Sequence, residues 1–431
     1  MYIGNSPGLT SSKLSGMPNK KGTSKSLAKT CYLDSYLRIV DFSTPGNRNE
    51  NSIDITTDNI TTAIRLPDNI PRLTGATLLI SDGVMHMLPG THAFFNIADA
   101  EGNPLDITTY RTNLTNKAWS LDLNNWEWNV YVSGVEDRPR GAAVAYDDEK
   151  QIGWYYGGWD GPDQYLNGSV YVDFNSSRAT RALQDLYRLD RGEGTPIKVK
   201  TDSSIVGSVK DGELVYIEGV GKAGILVLIG GEYVGLQEGE LNLVSIYIKI
   251  KKSHHSGPLL TNILLQLPMQ TVHVYDIATN SWFTQPTTAE MDHYPTGLSG
   301  FCSVVASAED NSSHNIYIYG GLSATESMGS ANIFILTLPA FHWVLVYPSA
   351  NASDLGIRRT YQHRCQKVHE KHMVAYRGYN TNYTCDSDKA SGKFQGMTIY
   401  DMSLLTWTTK VTLEDQKYLV PQALYDIIGG E

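Results

Sequence analysis

Short apolar runs of strand length, each closed by small residues, recur along the chain. The clearest are Trp154-Tyr155-Tyr156-Gly157-Gly158, Val227-Leu228-Ile229-Gly230-Gly231 and Tyr317-Ile318-Tyr319-Gly320-Gly321. Met87-Leu88-Pro89-Gly90 and Ala375-Tyr376-Arg377-Gly378 are weaker copies, and Leu37 to Phe42 reads as a decayed first one. A strand ending in glycine can turn sharply and admit a neighbouring backbone where any Cβ would clash. A second spacing follows four of these runs: a strand residue, then tryptophan seven positions on. The pairs are Leu121/Trp128, Tyr275/Trp282, Leu336/Trp343 and Tyr400/Trp407, with turn formers such as Asp276-Ile277-Ala278-Thr279-Asn280 between them. The unit at Leu186-Tyr187-Arg188-Leu189-Asp190 has the strand but no following tryptophan.

These elements predict four-stranded antiparallel sheets repeated around a ring. One such sheet cannot bury both faces alone, so copies must stack, and closing the stack leaves only short, protected edges. A large aromatic on each outer strand fills the wedge between neighbours, burying ~150–250 Å² apiece. Glycine turns near residues 42, 90, 158, 231, 321 and 378 predict six units. The tail from Tyr418 to Gly430 is expected to add a strand to the first unit and so latch the ring.

The repeat resembles the kelch-repeat family, whose mark is a diglycine followed by a spaced tyrosine and tryptophan. Gly157, Gly158, Gly230, Gly231, Gly320, Gly321 and Gly378 supply the first part here; Trp128, Tyr275, Trp282, Trp343, Tyr400 and Trp407 supply the second. The resemblance runs from about residue 31 to 430 and implies an all-β, six-bladed kelch-type β-propeller, some of its blades degenerate. It is particularly similar to fungal kelch-repeat proteins, many of which carry a signal peptide, the propeller and one membrane span. The first 30 residues, rich in Gly, Ser, Lys and Pro, read as a disordered segment without a signal's apolar core, and no stretch reaches the ~20 apolar residues of a span.

Composition agrees with an all-β chain: 26 tyrosines and 39 glycines among 431 residues. The net charge of −10 argues against a phosphate-binding surface, and Lys249, Lys251 and Lys252 form only a short solvated run, so no nucleic-acid partner is expected. Cys31, Cys302, Cys365 and Cys385 lack CxxC spacing, so neither a zinc site nor any other cofactor is expected. Cys365 and Cys385 are left as either a disulfide or free thiols. Seven glycosylation sequons, at Asn59, Asn113, Asn167, Asn175, Asn311, Asn351 and Asn382, lean toward the secretory pathway or cell surface, against the missing signal.

The insertions 91–118, 159–183, 232–271 and 379–396 all follow a glycine turn, so they should crowd one face, where binding on rigid scaffolds resides. Candidate contacts to a protein or glycan are Trp159, Asp160, Asp163, Tyr165, Tyr233, Tyr379 and Tyr383; alternatively, these aromatics pack their own loops. The chain is expected to be a monomeric, non-catalytic scaffold. The alternative is a galactose-oxidase-like oxidoreductase or other enzyme at the propeller mouth, since the propeller resembles that enzyme's central domain. Copper-radical chemistry needs two His, two Tyr and a Cys. The His-rich stretch His363, His369, His372, with Tyr361 and Cys365, cannot place all three imidazoles on one strand face. No GxSxG and no phosphate loop is present. Residues 244–266 fit the repeat poorly and can be written as a retained intron. Val244-Ser245 encodes a donor site, Leu260-Thr261-Asn262 a branch point and Gln266 an acceptor, which transcript sequencing decides.

Overall fold

The computed structural model describes residues 51–56, 77–88, 117–132, 139–160, 181–202, 206–233, 265–323, 331–347, 359–376, 378–380, 397–413 and 416–429. It also describes shorter pieces at 2–3, 36–40, 42, 58, 61–65, 73–74, 91–94, 164–167, 170–173 and 357. They form an all-β propeller in which five blades follow one another along the chain. Blade 1 comprises Thr77–Ser81, Val84–Leu88, Lys117–Asp122 and Trp128–Val132. Blade 2 comprises Ala143–Asp147, Ile152–Tyr156, Leu186–Leu189 and Ile197–Lys198. Blade 3 is built from Glu213–Ile217, Ile225–Ile229, Thr271–Asp276 and Ser281–Pro286. Cys302–Ser307, His314–Tyr319, Ile333–Leu338 and His342–Val346 make blade 4, to which Thr288–Ala289 adds a parallel fifth strand. Arg364–Val368, His372–Tyr376, Met397–Asp401 and Thr406–Thr408 make blade 5. The first strands of successive blades lie against one another and form the inner wall.

The sequence explains which strands go where. Ile225–Ile229, His314–Tyr319 and His372–Tyr376 are buried throughout, as short continuous apolar runs must be when both faces are covered. The seven-residue spacing is a cross-strand pair: Leu121 faces Trp128, Tyr275 faces Trp282, Leu336 faces Trp343 and Tyr400 faces Trp407. The last three tryptophans are buried and reach the preceding blade. Trp282 meets Tyr156 of blade 2 at 5.2 Å between ring centroids, and Trp407 meets Tyr319 of blade 4 at 4.9 Å, both edge-on. Trp343 packs between blades 3 and 4 and donates its Nε1–H to the Met269 carbonyl at 2.9 Å. Trp128 is only half buried, and among the described residues no blade precedes it. Blade 2, which lacks the tryptophan, has an outer strand of two exposed residues; there Trp154 stacks on Tyr216 of blade 3 at 5.3 Å instead.

Three expectations are corrected. Among the described residues there are five blades, not six. The segment read as a first copy forms Tyr36–Val40, paired with Tyr2–Ile3 and Thr61–Arg65 in a separate three-stranded sheet. Among the described residues it has neither a glycine corner nor a Tyr/Trp hairpin of the kind that docks the five blades. The tail is not a strand: Gln422–Ile428 is a helix, and Tyr418 and Leu424 are buried in the cluster between blades 4 and 5. Tyr418 shares its hydroxyl with Tyr317 at 2.8 Å. The strand added beyond blade 5 is Ser52–Asp54, paired with Lys410–Thr412, with Ile53 and Ile55 packed on the blade's face. Finally, Cys365 pairs with Cys302, across a Cα–Cα distance of 5.4 Å, and not with Cys385, which lies outside the described residues. The two partners sit at the starts of neighbouring inner strands, a proximity that a separation of 63 residues hides in the sequence. Of the segment 244–266, Leu265–Gln266 pairs with Glu232–Tyr233; 244–264 lies outside the described residues.

Candidate functional site

Each inner strand begins, and each second strand ends, at the same face of the propeller, because the two are antiparallel: Glu213 faces Ile229, Cys302 faces Tyr319 and Arg364 faces Tyr376. That face is clasped from blade to blade by backbone. The N–H groups of Gly158, Gly231 and Gly321 donate to the carbonyls of Val209, Leu298 and Thr360 in the next blade at 2.7, 2.8 and 2.8 Å. The preceding glycine makes room for the same carbonyl: a Cβ on Gly157 would lie 2.3 Å from Val209 O, and one on Gly320 2.5 Å from Thr360 O. Nearer the axis, Asp211 N–H donates to Gly141 O, Gly300 N–H to Asp211 O, and Gln362 N–H to Gly300 O, at 2.7, 2.7 and 2.6 Å. Blades 2 to 5 are thus tied by an unbroken run of inter-blade hydrogen bonds.

Beyond each corner the chain is pinned again before it leaves as a loop. Glu232–Tyr233 pairs with Val209–Lys210, Leu322–Ser323 with Leu298–Ser299, and Tyr379–Asn380 with Thr360–Tyr361. The insertions of blades 1 and 2 also meet each other. Thr91–Phe94 runs parallel to Gln164–Asn167, which continues into Val170–Asp173, and Leu73–Thr74 closes this second sheet.

The proposed contact residues fall at the roots of these loops. Trp159 is half buried and bridged to Arg140, whose guanidinium sits 5.0 Å above its ring. Asp160 is buried, and Tyr233 is half buried with its hydroxyl pKa raised by burial. Tyr165 and Tyr379 lie on the paired strands above. Asp163 and Tyr383 lie outside the described residues, as do the sequons at Asn59, Asn113, Asn175, Asn351 and Asn382; Asn167 ends the strand Gln164–Asn167, and Asn311 is an exposed turn residue. The three histidines are separated. His363 precedes the inner strand of blade 5. His369 turns at that strand's far end, 3.2 Å from the Phe42 carbonyl oxygen, and buried His372 lies 3.8 Å from Asp401.

Polar groups that sequence alone did not single out also gather at this face. Lys210 ion-pairs with Glu232 at 2.8 Å and with Asp211 at 3.3 Å. Ser299 Oγ–H donates to Glu232 at 2.6 Å, and the Gln266 amide donates to Ser299 Oγ and to the Leu322 carbonyl, joining blades 3 and 4. Burial alone would lower the Lys210 pKa, but Asp211 and Glu232 hold it above its ordinary value. Across the inner wall, Glu213 accepts from Ser303 Oγ–H at 3.0 Å and from Arg364 at 3.3 Å, bringing three successive blades together. Glu213 is 14% exposed, and desolvation lifts its carboxyl to about 7 against the opposing Arg364 and Ser303. These residues come from different blades and are far apart in sequence, so their meeting is readable only after the blades are aligned.

The raised Glu213 carboxyl predicts a pH dependence. Folded, it keeps its proton to about pH 7; unfolded, only to its ordinary 4.5. The stability this group contributes is therefore complete below the lower value and is lost as pH rises through the upper one, a swing of up to about 3 kcal/mol. Denaturation midpoints from about pH 5 to about pH 8 should fall less for Glu213→Gln than for the unmodified chain. Parallel pH curves would contradict the assignment.

No family model matches the chain. A kelch repeat-containing protein of Arthroderma benhamiae is 23% identical over 390 residues, covering 76% of this chain. Fold and relative together fit a kelch-repeat propeller. The chain spans 49% of that relative's length. The solved structure of YjhT aligns with a TM-score of 0.45 and 11% identity, over 81% of this chain and 87% of that one. Among the described residues, no helix is long and apolar enough to cross a membrane.

Proposed function

We propose that this kelch propeller is a non-catalytic scaffold that binds a protein or glycan partner through the loops on its glycine-corner face. One observation carries the reading: the insertions of two successive blades join in a sheet of their own, Thr91–Phe94 beside Gln164–Asn167, above a base tied together by inter-blade hydrogen bonds. A rigid base carrying long, mutually supported loops is the arrangement in which binding surfaces are built. Aromatic residues near the loop roots, Trp159, Tyr165, Tyr233 and Tyr379, add the residue type favoured as anchors.

The test replaces residues 381–396 by a short turn, keeping the Tyr379–Asn380 anchor, and compares both proteins by proximity labelling and on immobilised glycans. A partner held by the full chain should be retained at least about tenfold less well by the shortened one, at an unchanged melting temperature. Equal retention would remove that loop from the binding face.

A further inference from the structure

His363 presents a packing problem that its counterpart in the previous blade does not have. It stands immediately before the inner strand of blade 5, where blade 4 has Phe301. Both rings fill the space left by a glycine corner. A Cβ on Gly230 would lie 2.8 Å from the Phe301 ring, and one on Gly320 would lie 2.5 Å from His363 Cε1. Both side chains are buried, His363 completely. A phenyl ring therefore satisfies this niche, whereas the imidazole brings two nitrogens to which the buried surroundings offer at most the Tyr319 backbone. Leaving buried polar atoms unpaired costs about 1–3 kcal/mol, so packing alone does not account for histidine here.

What lies within reach of that ring is sulfur. One ligand atom of His363 and the sulfurs of Cys302 and Cys365 all fall within 4.8 Å of one another. Cys302 is buried and Cys365 half buried, at the starts of the inner strands of blades 4 and 5. We infer that Cys302, His363 and Cys365 form a redox-gated zinc site, masked while the two cysteines are joined and opened when they are reduced. A dithiol reductant supplies two electrons and two protons, becoming a disulfide itself while the Cys302–Cys365 bond is cleaved to two thiols. Zinc binding then releases both thiol protons, and the two thiolate charges are neutralised by the ion, which makes them tolerable at this depth. Two thiolates and an imidazole are the donor set zinc prefers, and three protein ligands leave its fourth position for solvent or an external group.

The test uses the full chain, reduced or oxidised, with Zn²⁺ alone as the probe. The reduced chain should bind one ion and the oxidised chain none at this site. Alkylation mapped by mass spectrometry should find Cys302 and Cys365 protected by zinc, while Cys31 and Cys385 react. His363→Phe, which copies the Phe301 packing, should fold and bind zinc at least about tenfold more weakly. The inference is overturned if the reduced chain takes up no zinc, if zinc protects Cys31 or Cys385 instead, or if His363→Phe binds equally well. Should His363→Phe fail to fold, the alkylation pattern of the unmodified chain decides alone.

Discussion

Replacing Gly157 by alanine is expected to cost about 3 kcal/mol or more, whereas the same change at Gly192 should cost only about 1 kcal/mol. Both glycines have left-handed backbone, φ +68° and +75°, so the conformational cost is shared. They differ in what a Cβ meets. At Gly157 it would lie 2.3 Å from the Val209 carbonyl oxygen of the next blade; at Gly192 nothing lies within 4 Å. The obstacle is backbone already engaged by Gly158 N–H at 2.7 Å, so relief requires moving blade 3 away from blade 2. Chemical denaturation of the two variants side by side isolates the inter-blade term. Equal losses would mean that close backbone approach at the corner contributes nothing.

The second large effect is expected at Trp343. Truncation to alanine should destabilise by about 3–5 kcal/mol, since the indole is 1% exposed and fills the wedge between blades 3 and 4. Trp343→Phe separates the terms. It keeps most of the apolar volume but loses the Nε1–H donated to the Met269 carbonyl, which still accepts from Thr287 Oγ–H at 2.8 Å. That carbonyl is not orphaned, so Phe should cost only about 1 kcal/mol beyond its smaller volume. Trp128→Ala, at a half-buried site with no described blade before it, should cost less than the Trp343 truncation. If Trp128 and Trp343 proved equally important, the wedge account would fail.

Much of this fold was legible because it rests on local spacing. A tryptophan seven residues after its partner must face it across a tight hairpin, and all four predicted pairs do so. The diglycines were equally readable, since only glycine tolerates both the left-handed turn and the approaching carbonyl. The blade number was overcounted because Leu37 to Phe42 has a strand's composition, and composition does not specify docking; among the described residues its strand pairs in a separate sheet. The tail carried a helix signature that an apolar reading passed over: Pro421 immediately before the first turn and Gly429 immediately after the last, with φ +76°.

At the loop face the order reverses, and little could be read in advance. The Glu213–Ser303–Arg364 contacts and the Cys302–Cys365 pair join residues from different blades that lie at the starts of neighbouring inner strands, far apart in sequence. His363 was visible as one of three histidines, yet what distinguishes it is the comparison with Phe301, which needs the blades superposed. Trp159, Asp160 and Tyr233 were chosen as loop aromatics and acids; the structure places them at the roots, beneath the insertions.

Native-state hydrogen exchange at the amides of Gly158, Gly231 and Gly321 tests most directly the claim that glycine corners bind each blade to the next. Each N–H is donated across a blade boundary, to Val209, Leu298 and Thr360, at 2.7–2.8 Å. All three should exchange only with global unfolding and respond together to denaturant, as the buried second strands do. Fast, independent exchange at these amides, with the strands still protected, would show blades that fold singly and merely touch.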